Sequence, residues 1–273
     1  MQEASRSARL APTTEHCLRM QKAITCLYKR PNASTRLIFF PWAGGGSIFF
    51  ANWGRWFDES IEVYSVMLAG RESRSRESFA QNIDQIVDEV CEFLLPLLHE
   101  KSLAFFGHSF GSLTSFATAV RLKEKYGVEP IHLFVSGISA PHSELRLHTD
   151  KKSEKTDEDL LCWLSTAGGT PTAILQNKEA LKMFIPAMKA DLRIVESFMY
   201  EKPDGQVLSC GLTCFDGNED TPHDLEAWKD LTSGDFSIHK FPGAHFYLKD
   251  PENQKQLVAY VTKYLESYQI SYF

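Results

Sequence analysis

The sequence predicts an α/β fold in which a mostly parallel central sheet carries helices on both faces. Two observations lead to this prediction. Short, dense apolar runs alternate along the chain with segments whose apolar residues recur at spacings of three and four, which is typical of strand–helix–strand units. The 273 residues are 43% hydrophobic and 23% charged, so the chain can bury a substantial core.

Six apolar runs are predicted as strands of this sheet. Arg36–Phe40 is the clearest of them, because Pro41 and a glycine cluster follow it directly, which indicates a short buried strand. The other five runs are Glu62–Leu68, Ser102–Phe106, Ile131–Val135, Val207–Phe215 and Phe236–Phe241.

Three segments between these runs are predicted as helices. Asn82–Leu98 places its apolar residues at spacings of three and four, which gives one packing stripe, and Pro96 should end this helix early. Phe110–Tyr126 is closed by Gly127. Pro251–Leu265 begins with a proline, which suits the first turn of a helix.

Residues 141–201 interrupt the alternation of strands and helices. They contain a polar linker and helical segments but no convincing strand. We expect this insertion to cover the functional site as a helical lid. Residues 1–20 are expected to be a disordered leader, which leaves 21–273 as the folded domain.

Charge and hydropathy exclude several classes of protein. The 29 basic and 35 acidic residues give a net charge of -6, and no basic patch dominates a helix face, so nucleic acid is not expected as a partner. No run approaches the ~20 apolar residues of a membrane-spanning helix, and the N-terminus lacks the apolar core of a secretory signal. The six cysteines form no C-x-x-C pair, which argues against a metal site. A soluble, cytosolic protein without a metal is expected.

The strongest functional motif is GHSFG at residues 107–111, which follows a predicted strand and precedes a predicted helix. In that setting the central Ser109 occupies a tight turn, which lifts its hydroxyl group out of the sheet at a helix N-terminus. Side chains at Gly107 and Gly111 would collide with neighbouring backbone. The motif therefore predicts Ser109 as a nucleophile, in preference to a structural glycine turn, and indicates the α/β-hydrolase fold.

A serine hydroxyl group needs a base, and in this fold the acid and then the histidine follow the nucleophile, each after a strand. Of the nine histidines, His245 fits this order, because it lies between the last predicted strand and the last helix. The loop after the preceding strand offers Asp216, Glu219 and Asp220. Asp220 is favoured because it ends the turn, and Asp216 stays an alternative. The acid would hold the His245 ring in the correct tautomer.

The oxyanion that forms when a serine attacks a carbonyl group needs two backbone N–H donors. One is expected from Phe110, directly after Ser109. The other is expected from Ala43 in the glycine-rich loop Pro41–Ser47, whose glycines let the backbone approach a substrate closely. This loop lacks the lysine that a phosphate-binding loop requires, so no cofactor is expected there.

Six motifs, taken in order, resemble those of the type II thioesterases, and within that family the animal medium-chain enzymes that act with fatty acid synthase. The motifs are FFPWAGGGS, AGRESR, FFGHSFGS, GGTP, FDGNED and PGAHFYL. The resemblance implies a monomeric cytosolic enzyme that hydrolyses the thioester between a fatty acyl chain and the phosphopantetheine arm of an acyl carrier protein. It also implies Ser109, Asp220 and His245 as the catalytic triad.

Two further groups of residues carry hypotheses about substrate binding. Arg71, together with Arg74 and Arg76, follows a predicted strand and is a candidate contact for the acidic carrier protein or for the phosphate of its arm, with a solvated cluster as the alternative. Large apolar residues of the lid are candidates for lining an acyl tunnel, or equally for the core of the insertion. They are Trp163, Met183, Phe184, Met188, Phe198 and Met199.

Three other functions fit parts of this pattern. A carboxylesterase or lipase would use the same triad on an oxygen ester. A transferase would pass the acyl group to an alcohol or amine in place of water. A binding protein with a hydrolase fold would use none of this chemistry, and it is disfavoured because nucleophile, base and acid are all present.

Overall fold

The computed structural model describes residues 23–98, 101–147, 150–167 and 175–270, so the leader predicted at residues 1–20 lies outside the described residues. The described strands are β1 (Ile24–Thr25), β2 (Thr35–Phe40), β3 (Ile61–Val66), β4 (Ser102–His108), β5 (His132–Ser136), β6 (Gly211–Gly217) and β7 (Phe236–Phe241). They form a seven-stranded sheet in the order β1-β3-β2-β4-β5-β6-β7. β1 is antiparallel to β3, and the other neighbouring pairs are parallel. This sheet confirms the predicted fold class.

All six predicted strands are present, and the differences have physical causes. β6 begins at Gly211 rather than at Val207, because the segment before it makes only an isolated bridge, from Leu208 to Thr232. β1 escapes prediction from sequence, because a strand of two residues shows no alternation of apolar and polar side chains.

The described helices are α1 (Ile48–Ala51), α2 (Ile83–Leu94), α3 (Phe110–Tyr126), α4 (Glu144–Leu147), α5 (Asp157–Ala167), α6 (Lys178–Ser197) and α7 (Pro251–Ile270). The predicted helices match α2, α3 and α7. The chain continues past α2 as a 3-10 turn over Leu95–Leu97, because Pro96 has no N–H group to donate to the preceding turn. In the described parts of residues 141–201 the chain forms α4 to α6 and no strand. Among the described residues, no helix combines the length and apolarity that crossing a bilayer requires.

Both faces of the sheet are packed, which explains why central strands such as β2 and β4 are dense apolar runs. Along β2, Ile38 and Phe40 belong to a cluster with α2, α3 and the helices of the insertion. The intervening Leu37 and Phe39 belong to a second cluster, with α1 and α7. Side chains that alternate between two faces in this way show the period of two that a strand imposes.

The carboxyl ends of the parallel strands lie at one edge of the sheet, so the loops that follow them meet there. The register pairs Phe40 of β2 with Gly107 of β4, and Gly217 of β6 with Phe241 of β7. The glycine-rich loop, the GHSFG turn, the acidic loop and the loop with His245 all begin at this edge. The topology therefore brings the predicted site residues into one region.

Candidate active site

Ser109 lies in a sharp turn between β4 and α3, with a backbone conformation that a non-glycine residue rarely adopts (φ 54°, ψ -118°). Such a conformation costs about 1–3 kcal/mol and persists only where the surroundings hold it. Here the Ser109 amide donates to the Ser136 carbonyl at 2.7 Å. A Cβ atom at Gly107 would collide with the Gly111 carbonyl, and one at Gly111 with the Phe40 carbonyl. Neighbouring backbone therefore passes so close to these two positions that both must be glycine.

A second serine supports the turn from within the protein. The Ser112 hydroxyl group lies 2.9 Å from the carbonyl oxygen of Gly107 and 3.0 Å from that of Ser136. It also accepts from the Ser136 amide at 2.9 Å. These bonds tie the start of α3 to the ends of β4 and β5. Sequence reasoning missed Ser112, because the five-residue motif ends one position before it.

His245 and Asp220 form a hydrogen bond across the ends of β7 and β6, with Nδ1 of His245 lying 2.7 Å from Oδ2 of Asp220. The Asp220 side chain is 5% exposed, and that of His245 is 23% exposed. The Thr221 amide donates to the other oxygen of Asp220 at 2.7 Å. Burial alone would raise the pKa of Asp220, but the hydrogen bond to His245, the nearby histidine charges and the Thr221 amide lower it overall. The carboxyl group is therefore ionised at neutral pH.

The other two candidate acids have different surroundings. Asp216 is buried, and one of its oxygens lies 3.1 Å from Nδ1 of His223. Glu219 is exposed to solvent. Of these three carboxyl groups, Asp220 is thus the one hydrogen-bonded to His245.

His245 packs against a second imidazole ring, that of His108, with ring centroids 5.0 Å apart. Burial lowers the pKa of His108 well below its usual range, so this ring is neutral. Its Nδ1 lies 2.8 Å from the Ser136 hydroxyl group. Gly137 makes room for both rings, since a Cβ atom there would lie 2.9 Å from Cε1 of His108 and 3.4 Å from Cε1 of His245. His245 therefore stands beside the residue that precedes Ser109.

The two expected backbone donors lie in adjoining segments. Phe110 is the first residue of α3, where N–H groups have no carbonyl partner within the helix. Ala43 lies in the glycine-rich loop, which closes into a tight turn because the Gly45 amide donates to the Trp42 carbonyl at 2.8 Å. The lack of a side chain at Gly111 lets the backbone that enters this loop approach the start of α3.

The structure corrects both interpretations of Arg71. Its side chain is buried rather than solvated, and it forms a two-point ion pair with Asp191 of α6 at 2.6 and 2.8 Å. Asp191 also accepts from the Gly44 amide at 2.7 Å, and Arg71 donates to the Gly45 carbonyl at 3.2 Å. Because its charge is compensated inside the protein, Arg71 holds the glycine-rich loop and is not placed to contact a carrier protein. Sequence reasoning missed its partner Asp191.

Glu72, the residue after Arg71, holds the other half of the same loop. Its carboxylate accepts from the amide and hydroxyl groups of Ser47 at 3.0 and 2.7 Å, and from the Ile48 amide at 3.4 Å. A Cβ atom at Gly46 would lie 2.5 Å from Oε1 of Glu72, so a side chain there would displace this carboxylate from its present position. Sequence reasoning missed Glu72, although its place beside Arg71 in the AGRESR motif is a signal that could have found it.

A protein-family model described as a thioesterase domain matches residues 35–265. The chain belongs to this thioesterase family. The resemblance drawn from six sequence motifs is thereby confirmed.

Relatives of this thioesterase match over nearly their whole length. The medium-chain S-acyl fatty acid synthase thioesterase of Rattus norvegicus is 50% identical over 248 residues, which cover 91% of this chain and 94% of the relative. The crystal structure of human thioesterase 2 is 41% identical, with a TM-score of 0.67, and the match covers 86% of this chain and 97% of that chain. The type II thioesterase BorB from the borrelidin biosynthetic cluster is 28% identical, with a TM-score of 0.79 and coverage of 90% and 98%.

In the described part of the thioesterase, Asp220, His223 and His245 offer possible metal-ligand atoms within 4.8 Å of one another. Two ligands of a tetrahedral zinc ion stand about 3.4 Å apart when each is ~2.1 Å from the metal. The atoms of Asp220 and His245 are already closer than that, at 2.7 Å, and His223 lies within hydrogen-bond distance of Asp216. The geometry therefore fits a hydrogen-bonded acid and base better than a metal site.

The insertion of the thioesterase brings only part of the apolar set to the site. Phe184 and Met188 of α6 lie against Gly44, where a Cβ atom would be 3.1 Å from Cε2 of Phe184 and 2.9 Å from Cε of Met188. Trp163 and Phe198 are half-buried and pack against the larger core cluster. The two candidates that point to solvent are Met183 and Met199, at 63% and 65% exposed. The tunnel interpretation is wrong for these two methionines.

Proposed function

We propose that this chain is a serine thioesterase that releases medium- to long-chain fatty acids from the acyl carrier protein of a fatty acid synthase in the cytosol. The observation that carries the proposal is the hydrogen bond between His245 and Asp220, formed at the sheet edge where Ser109 occupies its strained turn. The name of the rat relative, a medium-chain S-acyl fatty acid synthase thioesterase, supports the choice of substrate.

In the proposed acylation step, Oγ of Ser109 attacks the thioester carbonyl carbon while Nε2 of His245 takes the hydroxyl proton. The new C–O bond pushes the carbonyl electron pair onto oxygen, and this oxyanion accepts hydrogen bonds from the amides of Ala43 and Phe110. When the tetrahedral intermediate collapses, the C–S bond breaks and the phosphopantetheine sulfur takes the proton from His245. Between the two transfers, the ionised Asp220 stabilises the imidazolium.

In the proposed deacylation step, a water molecule gives a proton to His245 and adds to the ester carbonyl of the acylated Ser109. Collapse of this second intermediate returns the proton to the Ser109 oxygen and releases the fatty acid. No cofactor enters either step. A thiol, with a pKa of about 8.5, leaves more readily than an alcohol, which suits a thioester substrate.

We place the acyl chain under α6, beside Phe184 and Met188, because these side chains pack over the loop that carries the proposed donor Ala43. Trp163 of α5 would add a further apolar side chain to this pocket. The apolar side chains would bury the methylene groups of the substrate, each worth ~0.8 kcal/mol.

The proposed acyl pocket can be tested by placing a larger side chain in it. We expect Met188→Trp to lower kcat/KM for C16 and C18 thioesters about tenfold relative to C8, because about two methylene groups lose their burial at ~0.8 kcal/mol each. The measurement is kcat/KM across a C8–C18 series. Met183→Trp is the matched control, since Met183 lies on the same helix but is 63% exposed. Identical chain-length profiles in the two variants would mean that Met188 does not line the acyl pocket.

The proposed function is tested on the wild-type protein with C8–C18 acyl groups on acyl carrier protein, and with the matching oxygen esters. We expect the thioesters to be the preferred substrates and the free fatty acid to be the product. Preference for the oxygen esters would favour a carboxylesterase or lipase. Acyl transfer to an added alcohol or amine in place of water would favour a transferase.

A further inference from the structure

We propose that Arg71 and Asp191 are positioning residues whose buried ion pair sets the direction of the Ala43 amide. The pair, called the loop clamp below, would thereby couple the helix α6 to stabilisation of the oxyanion. This inference rests on the proposed function, in which Ala43 donates to the oxyanion.

The loop clamp binds two backbone groups of the glycine-rich loop. Oδ2 of Asp191 accepts from the Gly44 amide at 2.7 Å, and Nη1 of Arg71 donates to the Gly45 carbonyl at 3.2 Å. The two charged side chains are only 9% and 4% exposed, so water competes little for these bonds. Because Asp191 occupies the Gly44 amide, this amide is not available to an oxyanion, which is consistent with the proposed role of the neighbouring Ala43 amide.

The constraint reaches Ala43 through one further hydrogen bond. The Gly45 amide donates to the Trp42 carbonyl at 2.8 Å. The peptide bond between Trp42 and Ala43 is trans, so the Ala43 N–H points away from the Trp42 C=O. The Arg71 side chain therefore holds the Gly45 carbonyl, and the Gly45 amide holds the Trp42 carbonyl. The orientation of the Trp42 carbonyl in turn determines the direction of the Ala43 N–H.

The same clamp connects the loop to the insertion. Phe184, Met188 and Asp191 follow one another at spacings of four and three, so they share one face of α6. The first two lie against Gly44 and the third binds its amide. The helix that covers the proposed acyl chain therefore also holds the loop that would stabilise the oxyanion. A shift of α6 would move the acyl pocket and the donor loop together.

The chain offers a matched control three residues along. The Arg74 side chain is 4% exposed and pairs with Glu77 at 2.6 Å and with Glu89. It also donates to the Met67 carbonyl at 2.8 Å. None of these partners belongs to the glycine-rich loop, and the burial of Arg74 with internal partners argues against the carrier-protein contact and the solvated cluster predicted for it from sequence. If Arg71 only stabilised the fold, its replacement and the replacement of Arg74 should therefore have the same effect on kcat.

The experiment compares Arg71→Met, Arg74→Met and the double variant Arg71→Met/Asp191→Leu with the wild type. The double variant replaces both charges with apolar side chains, which often leaves stability unchanged and avoids an unpaired buried charge. The measurements are Tm, kcat and KM for an acyl thioester, and the affinity for an acyl trifluoromethyl ketone. This ketone forms a tetrahedral oxyanion with Ser109, so its affinity reports on the donors directly.

We expect Arg71→Met and the double variant to lose about 100-fold in kcat, as removal of one oxyanion donor does, and to lose ketone affinity by a similar factor. KM should stay within about threefold, because the lost interaction belongs to the transition state. Arg74→Met should lower Tm but keep kcat within about threefold.

Equal losses of kcat in Arg71→Met and Arg74→Met, or unchanged ketone affinity in the double variant, would overturn the loop clamp. A wild type that hydrolyses no thioester would instead refute the proposed function. The ketone affinities would still decide the role of the clamp in that case.

Discussion

Replacing Ser109 with alanine is expected to lower kcat for acyl thioesters by about five to six orders of magnitude. His245 then has no hydroxyl group to deprotonate, and no acyl-enzyme forms. The fold should persist, because alanine and serine tolerate the same backbone conformation and the bond to the Ser136 carbonyl uses the backbone amide. Steady-state kinetics and circular dichroism on the purified variant measure both effects.

Ser115→Ala is the matched control for this experiment. Ser115 is a buried serine of α3, and its hydroxyl group donates to the Ser112 carbonyl at 3.0 Å within the helix. We expect its kcat to stay within about twofold of wild type, because the change removes only a local bond. Retention of more than about one per cent of activity in Ser109→Ala would mean that another group is the nucleophile.

Replacing Asp220 with asparagine is expected to lower kcat by about three to four orders of magnitude while changing KM little. The carboxylate lies 2.7 Å from Nδ1 of His245 and is ionised at neutral pH. An asparagine removes the charge that stabilises the imidazolium, and its amide group no longer enforces the tautomer with the proton on Nδ1. The ratio of kcat between wild type and Asp220→Asn measures this loss.

Asp216→Asn tests whether the acid is Asp216, which lies in β6, rather than Asp220 in the loop that follows. Asp216 is buried like Asp220, but its hydrogen-bond partner is His223. We expect Asp216→Asn to keep kcat within about fivefold of wild type, since it leaves His245 and its partner untouched. A larger loss in Asp216→Asn than in Asp220→Asn would transfer the role of the acid to Asp216.

The sheet could be predicted from sequence because both of its faces are buried, so its central strands are short apolar runs with clear ends. The turn at Ser109 was equally predictable, since GHSFG must fit between a strand and a helix. The choice of acid was harder. Three carboxyl groups lie within five residues at the end of β6 and in the loop that follows it, and only the path of the chain there decides which of them meets His245.

The environment of Arg71 could not be predicted, because its partner Asp191 is 120 residues away in sequence. An arginine in a loop is usually solvated, and the residues around Arg71 do not show that a helix of the insertion supplies a counter-charge. One signal was present. Asp191 follows Phe184 and Met188 at helical spacing, and a carboxylate on an apolar stripe needs a buried partner.

The most direct test of the central claim is the site at which a long-chain alkyl fluorophosphonate reacts with the protein. Peptide mass spectrometry locates the adduct, and residual acyl thioester hydrolysis is followed in the same samples. We predict a single phosphonyl group on Ser109 and a loss of hydrolysis in proportion to labelling. An adduct on a different side chain, or unchanged hydrolysis by protein fully labelled at Ser109, would contradict the proposed nucleophile.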